Sequence, residues 1–235
     1  MVWIRRKTKG QKRDVSSIAT AINAFLLVYA GLFPIVNPIG SAPIFLRLTQ
    51  PYAGAQRHSL ARGVGINSFA LLLGSLFIGS HVLVFFGITL PIVRIAGGLV
   101  VAAFGWQLLH ANEDSQDRRS AAESTPGVSI DAFYPLTMPL TVGPGSISVA
   151  ITLGSQRPAD SDDLTQLAAL GCGAVAGLAA IAATIYVCFR YAGALVAALG
   201  ERGTSVVMRL SAFILFCIGI QIVWTGYLSL SHAAG

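Results

Sequence analysis

The chain is 235 residues long, 54% hydrophobic and only 11% charged, with a mean hydropathy of +0.69. Soluble domains carry roughly 25% charged residues, so this composition excludes an ordinary water-soluble fold and makes lipid the solvent. The net charge of +6 does not imply a nucleic-acid partner, because Arg5, Arg6, Lys7, Lys9, Lys12 and Arg13 all sit in a short N-terminal tail, residues 1–17, that reads as a juxtamembrane segment facing anionic lipid.

The charges cut the chain into six uncharged intervals, 15–46, 63–93, 95–112, 132–156, 164–189 and 210–235, each able to hold a near-spanning helix. The first shows no small-residue cleavage site and reads as retained rather than as a signal peptide. At 32 residues it would reach about 48 Å as one straight helix, well past a hydrocarbon core of about 30 Å. It also holds Pro34, Pro38 and Pro43 with Gly40 among them, which predicts a broken helix: a first limb over 18–36, a break at 37–40, and a half-helix over 41–48 capped by Ser41. A break inside a membrane frees backbone N–H and C=O groups and is tolerated only where protein or a water-filled cavity covers them, which makes it a place to hold a ligand.

The second segment, 63–86, carries Gly63, Asn67, Ser75 and Gly79 at four-residue spacing around Leu71, a stripe that predicts close helix packing. The third, from Pro91 to His110, holds Arg94 near enough to its start for the side chain to snorkel to the interface. The polar connection 112–131, with Pro126-Gly127 as a turn, divides the chain into halves 18–111 and 132–235. The fourth segment repeats the first theme, with Pro135, Pro139 and Pro144 and a break at Gly143-Pro144-Gly145 followed by Ser146, offset from the first break by 105 to 106 residues. The fifth, 164–189, has Ala168, Cys172, Ala176, Ala180 and Thr184 at strict four-residue spacing, a second expected packing stripe. The sixth, 206–230, pairs Arg209 with Gln221 as the third pairs Arg94 with Gln107. Cys172, Cys188 and Cys217 are expected to be buried packing residues, with no disulfide framework and no metal spacing.

Two halves of three spans each must enter the membrane from opposite sides. The expected fold is therefore an all-α membrane protein with six transmembrane segments in a 3+3 inverted repeat, the first and fourth broken at Pro/Gly motifs. Interrupted segments at matching places in inverted halves are the best sequence pointer to a transporter's binding site. Half-helices opening near Ser41 and Ser146 would turn free N–H groups and the positive end of the helix dipole toward a carboxylate. Carbonyls freed ahead of Pro38 and Pro144 would accept from an ammonium group, and Gly40, Gly143 and Gly145 would let backbone approach a ligand. Asn37 is expected either to touch that ligand or only to cap the break. Neither break carries a charged side chain, so the substrate is expected to be a zwitterion without one. Asn37, Pro38, Gly40, Ser41, Thr141, Gly143, Gly145 and Ser146 form the candidate substrate site. Since the apolar intervals contain no Asp or Glu, a coupling ion, H+ or Na+, is expected to rely on carbonyls and hydroxyls such as those of Ser41, Thr137 and Thr141.

Enzyme chemistry is not expected: His58, His81, His110 and His232 lie in separate segments and no carboxylate cluster accompanies them. No metal or other cofactor is expected. A channel lined by re-entrant breaks, or an exporter of small metabolites, stands as the alternative. Orientation is divided: Arg47, Arg57, Arg62, Arg118, Arg119, Arg190 and Arg202 face the side opposite the N-terminus, against Arg94 and Arg157 on its own side, but the basic tail reverses the balance.

The run Phe33-Pro34-Ile35-Val36-Asn37-Pro38-Ile39-Gly40-Ser41-Ala42-Pro43-Ile44-Phe45-Leu46 and the run Pro139-Leu140-Thr141-Val142-Gly143-Pro144-Gly145-Ser146-Ile147 resemble the two signature motifs of the MarC family. Gly97-Gly98, Trp106-Gln107 and the Gln221 region are similar too, so the resemblance covers nearly everything after residue 18. It implies a six-helix, multi-pass inner-membrane protein of bacteria or archaea that transports small neutral amino acids such as glycine and alanine. The basic tail departs from the family pattern.

Overall fold

A computed structural model describes residues 2–110, 131–138, 140–155 and 164–233. Every regular element among them is a helix: α1 (Val2–Val36), α2 (Pro38–Leu48), α3 (Gly54–Phe85), α4 (Leu90–His110), α5 (Pro144–Ser155), α6 (Leu164–Arg190) and α7 (Ala192–Ala233). Most of the connection 112–131, the loop 156–163 and Pro139 lie outside the described residues, and with them Arg118, Arg119, Pro126-Gly127 and Arg157.

Among the described residues, five stretches are long and apolar enough to cross a membrane: Ser17–Val36, Gly54–Phe85, Leu90–His110, Leu164–Arg190 and Arg202–Ser231. The expected fourth spanning helix is not among them. Its first part, 131–138 and 140–143, is a wide-wound coil in which the N–H groups of Thr137, Met138, Leu140 and Val142 each reach the carbonyl five residues back. Pro135, Pro139 and Pro144 remove three donors from this stretch, so the regular i→i−4 ladder cannot form. The Thr137 and Thr141 hydroxyls supply part of the shortfall, donating to the carbonyls of Ala132 (2.7 Å) and Leu136 (2.8 Å). Only α5 is regular, and its 12 residues reach about 18 Å, short of the hydrocarbon thickness.

The first segment differs too. Ser17–Val36 alone is 20 residues, about 30 Å, so the break comes at the end of a span-length helix. The backbone of α1 is helical from Val2, so the basic tail continues the first helix. Once a spanning helix exists, extending it avoids the nucleation cost that limits an isolated one. In α7 the chain turns at Gly200 (φ 67°, ψ 174°), a conformation that favours glycine, before the limb Arg202–Ser231.

Small residues set the helix crossings. Gly98 and Gly105 of α4 lie against the α7 backbone at Gly219, Val223, Phe216 and Ala212, in antiparallel order, and Gly219 reciprocally meets Ala102. Gly173 and Gly177 of α6 lie on the α1 backbone at Ala21 and Phe25. Without a hydrophobic drive between helices in lipid, such close backbone approach is what holds spans together. α6 also meets α3, where Gly65 approaches the Ala182 carbonyl.

The expected stripe on the fifth segment is displaced. Ala168, Cys172 and Ala176 are exposed, whereas Gly173, Ala174, Gly177, Leu178, Ile181 and Ile185 are buried. A four-residue step advances about 400° around a helix of 3.6 residues per turn, so a strict four-residue row does not keep to the contact face, and its last member, Thr184, meets Tyr29 of α1. The stripe on the second segment drifts likewise, with Gly63 against Ala132 and Gly79 against Ile151. Cys172 and Cys217 are exposed and Cys188 is half-buried, so the cysteines are not the core residues expected. In a span the outer surface faces lipid, which accepts a thiol as readily as a core does. Arg94 does more than snorkel, since its Nη1 donates to Ser229 Oγ of α7 at 3.1 Å.

Candidate functional site

At the first break α1 keeps its ladder one residue beyond Val36, because the Asn37 N–H still reaches the Phe33 carbonyl at 2.9 Å. Asn37 then adopts φ 45°, ψ 57°, the left-handed region that asparagine tolerates better than other side chains. The chain re-enters a helix at once with Pro38 in its first turn, where a missing N–H costs nothing. The cap of this helix is therefore Asn37 and not Ser41: Asn37 Oδ1 accepts from the Gly40 N–H at 3.2 Å. A Cβ at Gly40 would run into the Asn37 carboxamide, which explains the glycine. Pro38 has no donor for the Pro34 carbonyl, and Gly40 gives its donor to Asn37 Oδ1 rather than to Val36, so the end of α1 turns under-used carbonyls toward the break.

The second break opens its half-helix in a similar way, but with no residue of positive φ among the described residues there. Gly143 stands where Asn37 does, Pro144 opens α5 as Pro38 opens α2, and the Gly143 carbonyl accepts from Ile147 N–H at 3.1 Å as the Asn37 carbonyl accepts from Ser41 N–H at 3.0 Å. Both serines thus lie inside a first turn rather than at a cap. Ser41 is 7% and Ser146 2% exposed, and neither hydroxyl has a hydrogen-bond partner among the described residues. Pro38, Gly40, Gly145 and Thr141 are buried, and Asn37 and Gly143 are half-buried.

The breaks share one core. Val36 and Ala42 flank the first, Val142 and Ala150 flank the second, and all four belong to a single buried cluster. The half-helices α2 and α5 are nonetheless not packed on one another: α2 rests on α6 and α7, and α5 on α3, α4 and α1. α5 is wedged between α3 and α4, which are joined by the turn 86–89 but barely touch. On one flank Ile151 sits at Gly79 and Gly154 at the Leu76 backbone, and on the other Gly145 faces Val101 and Ser148 sits at Gly97. The space beside Gly145 is accordingly filled by Val101, which gives that glycine a packing role that the spacing did not reveal. Ser148 Oγ also donates to the Val93 carbonyl at 2.9 Å. Ser148→Ala is expected to lower the unfolding free energy in detergent by about 0.6 to 1.7 kcal/mol, the range for hydrogen bonds between membrane helices; an unshifted thermal midpoint would show the bond to be idle.

Sequence reasoning missed Val101, Ser148 and Thr184 as partners of the broken segments. The Gly97-Gly98 pair was the one available signal, since adjacent glycines in a spanning helix mark close approach on two faces. Here one faces α5 and the other α7.

Comparison with known proteins adds the remaining observation: the family description "MarC family integral membrane protein" matches residues 22–230. The chain belongs to the MarC family. Among its MarC relatives, the inner membrane protein MarC of Salmonella typhimurium LT2 is 30% identical over 207 residues, covering 85% of this chain and 91% of that one. The MarC protein of Escherichia coli O157:H7 is 31% identical over 205 residues, with 85% and 91% covered. The membrane protein YvbG of Bacillus subtilis 168 is 30% identical over 204 residues, with 85% and 92% covered. No solved structure matches. With five span-length apolar helices, this MarC protein is a multi-pass inner membrane protein.

Proposed function

We propose that this protein is a secondary transporter of small neutral amino acids of the size of glycine and alanine, working by alternating access between two inverted three-segment halves. The observation that carries the reading is the pair of proline-opened half-helices in one buried core, each with an unpartnered serine hydroxyl and no charged side chain in its first turn. First-turn N–H groups suit a carboxylate and the spare carbonyls before each break suit an ammonium group, so a zwitterion is matched at both ends. Asn37, Pro38, Gly40, Ser41, Thr141, Gly143, Gly145 and Ser146 are the residues we assign to it, with Gly145 acting through its backbone.

The pattern of helix contacts supports the inverted repeat. Exchanging the two halves carries α2 against α6 and α7 onto α5 against α3 and α4, and carries the crossings of α4 with α7 and of α3 with α6 onto themselves. The coupling ion, H+ or Na+, would lack a carboxylate in any span and would depend on hydroxyls and carbonyls such as those of Ser41, Thr137 and Thr141. On this reading the protein performs no covalent chemistry and needs no cofactor.

The test is uptake of radiolabelled glycine by the purified protein in liposomes. Saturable uptake competed by L-alanine and not by L-leucine is the expected result. Ion conductance indifferent to both amino acids would replace the transporter with a channel, and saturable uptake of another small metabolite would change the substrate class.

A further inference from the structure

α6 runs unbroken for 27 residues beside the first break and touches the chain on both sides of it. On the near side, Tyr29 of α1 meets Thr184 at 3.2 Å. Thr184 gives its own hydroxyl proton to the Ala180 carbonyl at 2.8 Å, so the pair has one polarity: Tyr29 O–H donates and Thr184 Oγ1 accepts. On the far side, the Phe45 ring of α2 stacks on Phe189 with centroids 4.5 Å apart. Tyr29 and Phe45 are each eight residues from Asn37, and their anchors on α6 are five residues apart. Phe25, Tyr29 and Phe33 stack in succession at four-residue intervals, with centroids 6.0 and 5.6 Å apart, and the next position in that row is Asn37.

A single left-handed residue joining two helices is a poor constraint on the angle between them, since modest changes in its φ and ψ swing the second helix. α6 supplies the constraint. We propose that Tyr29 and Thr184 are a positioning pair that, together with the Phe45–Phe189 stack, splints the break at Asn37 and sets how the first turn of α2, with Ser41, faces the substrate. The inference rests on the reading of the break as a substrate site. Neither hydroxyl of the pair is asked to touch the amino acid.

The experiment compares wild type with Tyr29→Phe, Thr184→Val, Thr184→Ser and the double variant Tyr29→Phe/Thr184→Val. Tyr29→Phe and Thr184→Val are each expected to raise the KM for glycine about three- to tenfold, in line with one hydrogen bond between membrane helices, while the maximal rate changes less. The double variant should be no worse than either single one, and Thr184→Ser, which keeps the acceptor, should behave as wild type. A second readout does not use transport: a thiol placed by Ser41→Cys, with Cys172, Cys188 and Cys217 replaced by alanine, is labelled with a small permeant thiol reagent. Tyr29→Phe and Thr184→Val should change its labelling rate by a common factor, and Thr184→Ser should not. Additive losses, a Thr184→Ser variant as impaired as Thr184→Val, or labelling rates untouched by Tyr29→Phe would overturn the positioning role. If wild type takes up no glycine, the transporter reading falls, and the labelling series still decides this one.

Discussion

Gly145→Leu is expected to prevent α5 from seating between α3 and α4 and to yield protein that is lost on size-exclusion chromatography. Gly145→Ala is the informative variant, because a Cβ there would overlap Cγ2 of Val101. Overpacking of this kind costs about 1–3 kcal/mol, visible as a lower unfolding midpoint in detergent. The obstructing atom is the end of a side chain, not backbone, so Val101→Ala in the same protein should return most of the loss: one methyl is added and two are removed across the α4–α5 contact, a net loss of one. Stability recovered together with glycine uptake would mean that the Gly145 side of α5 is a packing surface and only its N–H serves the ligand. A double variant that is as stable as wild type yet inactive would mean that the added methyl occupies substrate space, which is the role suggested by sequence spacing alone.

Asn37 separates capping from binding in a similar way. Asn37→Ala removes the Gly40 cap, a loss of about 0.5–2 kcal/mol, and leaves a residue without local hydrogen bonding in the left-handed region, a further cost of about 1–2 kcal/mol. Together these predict destabilisation of about 1.5–4 kcal/mol, measured by thermal unfolding. Asn37→Gly should cost only a few tenths of a kcal/mol, because glycine accepts the positive φ and is itself a fair cap. With Oδ1 committed to Gly40, the part of Asn37 left for a ligand is its Nδ2 group. Asn37→Gly is then expected to be nearly as stable as wild type, with a KM for glycine raised about three- to tenfold, the worth of one hydrogen bond of about 0.5–1.5 kcal/mol. An unchanged KM would reduce Asn37 to a cap.

Much of this protein could be read from residue order alone. Charge spacing located the apolar intervals because a charged side chain is costly in hydrocarbon wherever it falls in the fold. Proline spacing located the breaks near residues 37 and 143, because a missing N–H and a fixed φ act within one turn and need no partner. Recurrence of the same break after 105 to 106 residues pointed to two related halves for the same local reason. The tertiary structure decided the rest. Which face of a helix is buried depends on its neighbours, so Cys172 and Ala176 face outward while Gly173 and Gly177 carry the α1 contact. Whether three prolines kink a span or unwind it depends on what satisfies the freed carbonyls, and burial of Leu136, Thr137, Thr141 and Val142 with the two threonines bonded inward favoured the wide-wound coil. The cap passed from Ser41 to Asn37 because the left-handed turn at Asn37 restarts the helix at Pro38, three residues ahead of Ser41. Val101 beside Gly145 and Thr184 beside Tyr29 join residues 44 and 155 positions apart, contacts set by how helices cross and carried by no local pattern.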